Sequence, residues 1–315
     1  MRFVARPMKL SDDVVNWVAN LAPRILLQKA LLCNLTPTAD FQTSLIKSFP
    51  LSGLVIPVPV GYQYQSAIAH SLAATDTRNA ATLAHQLAQA IAQSLSIQSG
   101  SDQSVTPAIT RDLQLQATEQ GYLLITLSPA AIIGWLQHAI DAPAPTVIRA
   151  VGDEPRATLE DRSWPLCDRL HLSLPMLLQW AYSRCATWLG QLASLDADIN
   201  TNDWETHGHQ GTDLIRSCRS NALPTHDTLT EHLLLPTLMR ALDQMATRPQ
   251  VKTGLGQGYA IAAAVYQFDA ENRLGDLLTL PEYERSHCWS TLTVIQKVLA
   301  VIMTQLVGMT PKSHL

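Results

Sequence analysis

The sequence is poor in charge and in aromatic side chains. Asp, Glu, Lys and Arg make up 15% of 315 residues and Phe, Trp and Tyr 6%, against 47% hydrophobic residues. So little charge beside so much apolar content excludes a self-repelling, disordered chain and describes one able to bury a core. Cysteine is scarce as well. Cys33, Cys167, Cys185, Cys218 and Cys288 are odd in number, widely spaced and without a CxxC pair. This excludes a fully paired disulfide frame and reads as buried thiols in a reducing compartment. The opening "MRFVARPMKLSDDVV" has cations but no apolar segment behind them, so no secretory leader is expected. The apolar run "VLAVIMTQLVGM" is interrupted by Thr304 and Gln305 and is too short to span a bilayer. A cytoplasmic protein with no membrane partner is the expectation.

Signatures of chemistry are missing too. There is no Gly-x-Ser-x-Gly elbow and no visible pairing of an activated Cys with His. "GLGQG" at 254–258 has no strand before it, so it is no dinucleotide fingerprint and reads as a flexible lead into a helix starting near Gly258. His207, His209, Cys218, His226 and His232 form the one metal-like cluster, but their long, uneven spacings do not suit the close, rigid ligand pairs of a zinc site. A solvated polar loop is expected, with no metal and no cofactor.

What is present is helical periodicity. "SDDVVNWVANLAPRILLQKALLCNL" has Ser11 as N-cap and acids in its first turn, and Pro23 should split or kink it. "LSGLVIPVPV" is β-branched but carries Pro57 and Pro59, which restricts it to an edge strand. "QSAIAHSLA" and "NAATLAHQLAQAIAQSLS" read as helices, the second with Leu83, Leu87, Ile91 and Leu95 on one face. "DLQLQATEQGYLLITLS" alternates on either side of Gly121 and predicts a hairpin or two strands. "SPAAIIGWLQHAI" then starts a helix on Ser128 and Pro129. A segment rich in Pro, Ala and acids follows, and beyond it the pattern is helical at 172–194, 229–247, 256–271 and 283–308. The chain is therefore read as mainly α: a small α/β module at 1–140, a linker at 141–170 and a helix bundle at 171–315.

Two of these segments carry a family resemblance. Gln179-Trp180-Ala181-Tyr182-Ser183-Arg184 resembles the Gln-Tyr-Ala-His-Ala-Arg helix that opens the DALR anticodon-binding domain of arginyl-tRNA synthetases. Val265, Phe268 and Asp269 partly match its second helix, and Leu306-Val307-Gly308-Met309 with Pro311 its closing one. Residues 1–140 are similar to the additional N-terminal domain of the same enzymes, on "GYQYQSAIAHSLAATDTRNAATLAHQLAQAI" and "GYLLITLSPAAIIGWL". Where those enzymes hold a large catalytic domain, about thirty residues stand here, as the linker's bounds 141–170 give. No Lys-Met-Ser-Lys-like loop occurs, and the His-Gly-His triplet at 207–209 lies in a bundle insertion. Activating an amino acid needs backbone amides and cations around ATP phosphates. No enzymatic activity is expected.

The resemblance implies a non-catalytic paralogue that binds tRNA or another structured RNA as a regulatory or accessory factor, with a protein partner and no RNA as the alternative; DNA is not implied. Gln179, Trp180, Tyr182 and Arg184 would face the anticodon stem-loop. Tyr122 would stack on the tRNA elbow, although Leu124 replaces the family's Asn two positions on. Tyr62, in the Tyr-rich turn, and Arg24 and Lys29 complete the candidates. Residues 1–50 hold six cations against three acids while the whole chain carries −4, so attraction for phosphate would be local. Asp269, where the family has Tyr, would put an anion on that surface. The same rings and guanidinium also read plainly as bundle packing: Trp180 and Trp188, eight apart in "LLQWAYSRCATWLG", are expected on roughly one face.

Overall fold

The structure, a computed structural model, describes residues 9–35, 51–58, 61–74, 78–98, 109, 113–145, 163–199, 233–272 and 282–314. The described chain is mainly helical with one small antiparallel sheet. It divides into two compact units. One runs Ala19–His138; the other combines the residues up to Val18 with those from Ala139 onward.

α1 (Asp12–Leu21), of which only the last three residues fall in the Ala19–His138 unit, gives way to α2 (Pro23–Leu35) at the expected place. Pro23 has no N–H to continue the first helix. The Leu21 carbonyl at this break accepts instead from the Trp135 indole at 2.7 Å. Strands β1 (Leu51–Val58), β2 (Gly61–Ser66), β3 (Gln114–Ala117) and β4 (Leu123–Leu127) form one sheet in the order β1-β2-β4-β3, every pair antiparallel. β1 is an edge strand, as Pro57 requires; Pro59 lies outside the described residues. "GYQYQS" is not the turn its tyrosines suggested: it is β2, in the middle of the sheet. Tyr62 and Tyr64 alternate with Gln63 and Gln65, and both tyrosines are buried. That alternation of rings with polar glutamines is the period-2 signature of a half-buried strand, legible in the sequence.

Three helices complete this unit: α3 (Ile68–Ala73), α4 (Ala80–Gln98) and α5 (Pro129–Asp141). Leu83, Leu87 and Ile91 of α4 are fully buried. Asn79 caps α4 by accepting from the Thr82 amide at 2.7 Å, and Ser128 caps α5 by accepting from Ala131 at 3.1 Å. The β3–β4 turn needs a glycine: Gly121 has φ +84°, and a Cβ there would stand 2.5 Å from Ala80 Cβ.

The second unit is a set of packed helices. These are α6 (Pro165–Leu170), α7 (Leu174–Ile199), α8 (Leu235–Thr247), α9 (Val251–Glu271) and α10 (Glu282–Ile302), the last continued by a π-helical turn at Met303–Val307. α6 lies within what reads in the sequence as linker; Trp164 just before it packs against Tyr259 at 4.9 Å between ring centroids. α7 packs on α10 and on α9, and α8 on α9.

"GLGQG" is also corrected. It lies inside α9, which starts at Val251 and not near Gly258. A Cβ on Gly254 would come within 2.5 Å of Leu306 Cδ1, and one on Gly258 within 3.1 Å of Ile302 and 3.2 Å of Leu178. These glycines let helices approach closely rather than lending flexibility.

The 24 residues Glu284–Val307 include an 18-residue window of mean hydropathy 1.5, long and apolar enough to cross a membrane, and 61% of that window is buried inside the protein. The run at 298–309 that reads as too short is thus one part of a longer element. Burial among the other helices accounts for its apolar content. The metal-like cluster at 207–232 lies outside the described residues; among those described, no group of three ligating side chains could hold a metal.

Candidate nucleic-acid interface

The buried stripe of α7 decides which of its aromatics are packing. Leu177, Ala181, Cys185, Trp188 and Leu192 are buried at helical spacing. Eight residues turn a helix by 800°, leaving Trp180 and Trp188 about 80° apart around the axis. The two tryptophans therefore have different fates. Trp188 is 2% exposed and meets Phe268 edge-on at 5.7 Å. Trp180 is half-buried and tilts against Tyr266 of α9 at 5.5 Å.

Asp269 is held in that same seam. Its Oδ1 accepts from Arg184 Nε at 2.5 Å and from the Trp188 indole at 3.0 Å. The Arg184 side chain is 40% exposed and that of Asp269 17%. The Arg184 guanidinium also lies over the Trp188 ring, 5.7 Å from its centroid. The anion read as facing RNA is thus neutralised within the bundle. Because the pair is partly solvated, it adds only about 1 kcal/mol or less to stability.

Gln179 has a different task from the one the resemblance implies. It is 6% exposed, and both ends of its amide serve one residue of the segment after α10. Its Nε2 donates to the Lys312 carbonyl at 2.6 Å, and its Oε1 accepts from the Lys312 amide at 3.2 Å. Tyr62 is likewise turned inward, 5% exposed on β2. Tyr182 is half-buried, Arg24 half-buried and Lys29 exposed on α2. Five residues apart, Arg24 and Lys29 leave α2 about 140° apart around its axis, so they serve different sides of that helix. Tyr122 is half-buried and tilts against His70 at 4.8 Å.

Two residues, Arg169 and Tyr266, join the α7 face without having been singled out in the sequence. Exposed Arg169 lies over the Tyr266 ring, 5.7 Å from its centroid. Tyr259, one heptad before Tyr266 on α9, accepts the Leu166 amide on its hydroxyl at 2.9 Å. The spacing of the two tyrosines was a usable signal, because residues seven apart share a helix face. Arg169 had none, since its partner lies in another helix. The surface so assembled has rings (Trp180, Tyr266) between two guanidiniums (Arg169, Arg184). Such a surface can stack a planar base and attract phosphate.

Deeper in the bundle, burial and then the neighbouring Cys288 thiol push the Cys185 thiol far above its usual range. Cys167, Cys185 and Cys288 are buried thiols outside any disulfide, as the cysteine pattern suggests. Burial lowers the Lys297 ammonium, with Asp141 opposing; its Nζ donates to the carbonyls of Ile140 at 2.9 Å and of Ala142, closing the end of α5. A cation there also complements the helix dipole.

The chain matches no family model, no curated protein and no solved structure.

Proposed function

We propose that this chain binds tRNA or another structured RNA without catalysing aminoacylation, as a non-catalytic relative of arginyl-tRNA synthetases whose later helices form a DALR-type bundle. The observation that carries the reading is the half-buried Trp180–Tyr266 ring pair with Arg169 over Tyr266. Arg184 and Tyr182 on α7 extend the surface. Base stacking on such a platform contributes about 1–3 kcal/mol per base. In the other unit, Tyr122 with His70 offers a second ring surface, and exposed Lys29 a cation. A titration of total tRNA at several salt concentrations tests this. Affinity should fall steeply with salt, and Trp180→Ala with Arg169→Ala should weaken it; no binding at low salt would sink the reading. Arginine-dependent pyrophosphate exchange should stay at the level of a no-protein control.

A protein-binding scaffold is the competing reading, and a specific observation favours it. Gln179 is spent on Lys312 and Arg184 on Asp269, so two of the polar groups on the motif helix are already engaged.

A further inference from the structure

Beyond α10, the π-helical turn ends at Gly308, whose φ of +74° redirects the chain. Residues Gly308–His314 then run without helix or strand. Thr310, Lys312, Ser313 and His314 are exposed, while Met309 and Pro311 are half-buried, so this segment buries little side-chain surface. The Met309 amide still closes the π-helical turn, donating to the Met303 carbonyl at 2.9 Å; beyond it, the segment is fixed through the main chain of one residue, Lys312. Gln179 Nε2 and Ser183 Oγ both donate to the Lys312 carbonyl, at 2.6 and 2.9 Å, while Gln179 Oε1 accepts from the Lys312 amide at 3.2 Å. Gln179 Nε2 also donates to Ser183 Oγ at 3.2 Å, locking the two side chains together.

The arrangement reads main chain rather than side chain. A primary amide that gives an N–H to a residue's carbonyl and takes its N–H in return copies the exchange between paired strands. Gln179 and Ser183 are 6% and 7% exposed. With the segment seated these polar groups are satisfied, so an occupant that replaces it must offer a carbonyl and an N–H in the same places. A segment held mainly by one such clamp belongs to the low-stability end of a structure and opens readily.

We propose that the Gln179–Ser183 notch on α7 is a peptide-binding site, and that Gly308–His314 is its resident, displaceable occupant. The partner is an extended segment of another protein, recognised through its main chain as in strand addition. The residue facing Gln179 tolerates any side chain but must carry an N–H, which excludes proline. No bond is made or broken; one occupant replaces another.

The probe is a labelled peptide of residues 308–315 with Lys312→Gln, which keeps the main chain and removes the tryptic site. In the full chain, Lys312→Pro deletes the N–H that Gln179 receives and releases the segment. This variant should bind the probe at least about tenfold more tightly than the parent, whose notch is occupied most of the time. Adding Gln179→Leu should abolish binding, as should proline at the paired position of the probe. In the unaltered chain, excess probe should speed trypsin cleavage after Lys312, a readout independent of any variant's folding. Equal affinity of parent and Lys312→Pro, binding that survives Gln179→Leu, or cleavage indifferent to the probe would each overturn the proposal. None of these outcomes depends on RNA.

Discussion

Arg184 and Asp269 lie on different helices, 85 residues apart in sequence, and meet through a hydrogen bond of 2.5 Å from Nε to Oδ1. The aspartate whose charge opposes phosphate therefore also neutralises one of the face's two guanidiniums. Asp269→Asn should free Arg184 to meet phosphate, tightening tRNA binding several-fold and steepening the salt slope by about one unit. The asparagine carbonyl still accepts from Trp188, so melting should shift by an amount equivalent to about 1 kcal/mol or less. An unchanged salt slope would show that Arg184 does not meet RNA even when released.

The two tryptophans of α7 should separate stability from binding. Trp188→Ala removes a ring that is 2% exposed and packed on Phe268, and should cost about 3–5 kcal/mol in denaturant unfolding. Trp180→Ala should cost clearly less, because the ring is half-buried. It should instead weaken RNA binding by about 1–3 kcal/mol. The reverse ranking in stability would contradict the assignment of faces.

His287 makes stability depend on pH. Burial lowers it from 6.5 to about 4. Below 6.5 the unfolded chain takes up a proton, while the native imidazole stays neutral until about 4. Its stabilising effect is thus complete above 6.5 and lost as pH falls through that window, amounting to about 3 kcal/mol by its lower end. Urea unfolding at pH 7, 5.5 and 4.5 should reveal the decline, and His287→Gln should flatten it. An identical profile in the variant would assign the decline to other groups.

Glycines at close approaches should resist replacement. Gly121→Ala combines a positive φ with a Cβ 2.8 Å from the Ala80 carbonyl carbon. It should cost about 1–2 kcal/mol from backbone strain alone, plus overpacking. Gly254→Ala pushes on the Leu306 side chain and should cost about 1–3 kcal/mol. Gly308→Ala meets no atom within 4 Å but keeps φ +74°, so only the strain should register. Thermal melting of the three variants checks the order.

What the sequence by itself determined is local. Ser11, Asn79 and Ser128 precede helices that begin as capping chemistry requires, and the Val14 amide meets Ser11 Oγ at 3.4 Å. Pro23 divides α1 from α2, and Pro57 goes with an edge strand, because a missing N–H acts on its immediate neighbours. The alternation around Gly121 produced the β3–β4 hairpin. Tertiary structure decided everything that needed a distant partner. Tyr62 and Tyr64 are core rather than turn because β4 pairs alongside them. The glycines of "GLGQG" became helix contacts because Leu306, Ile302 and Leu178 close on them. Gln179 holds Lys312, 133 residues away, and Arg169 finds Tyr266 from another helix. A helix's period says which residues share a face; only the packing of whole elements says what that face meets.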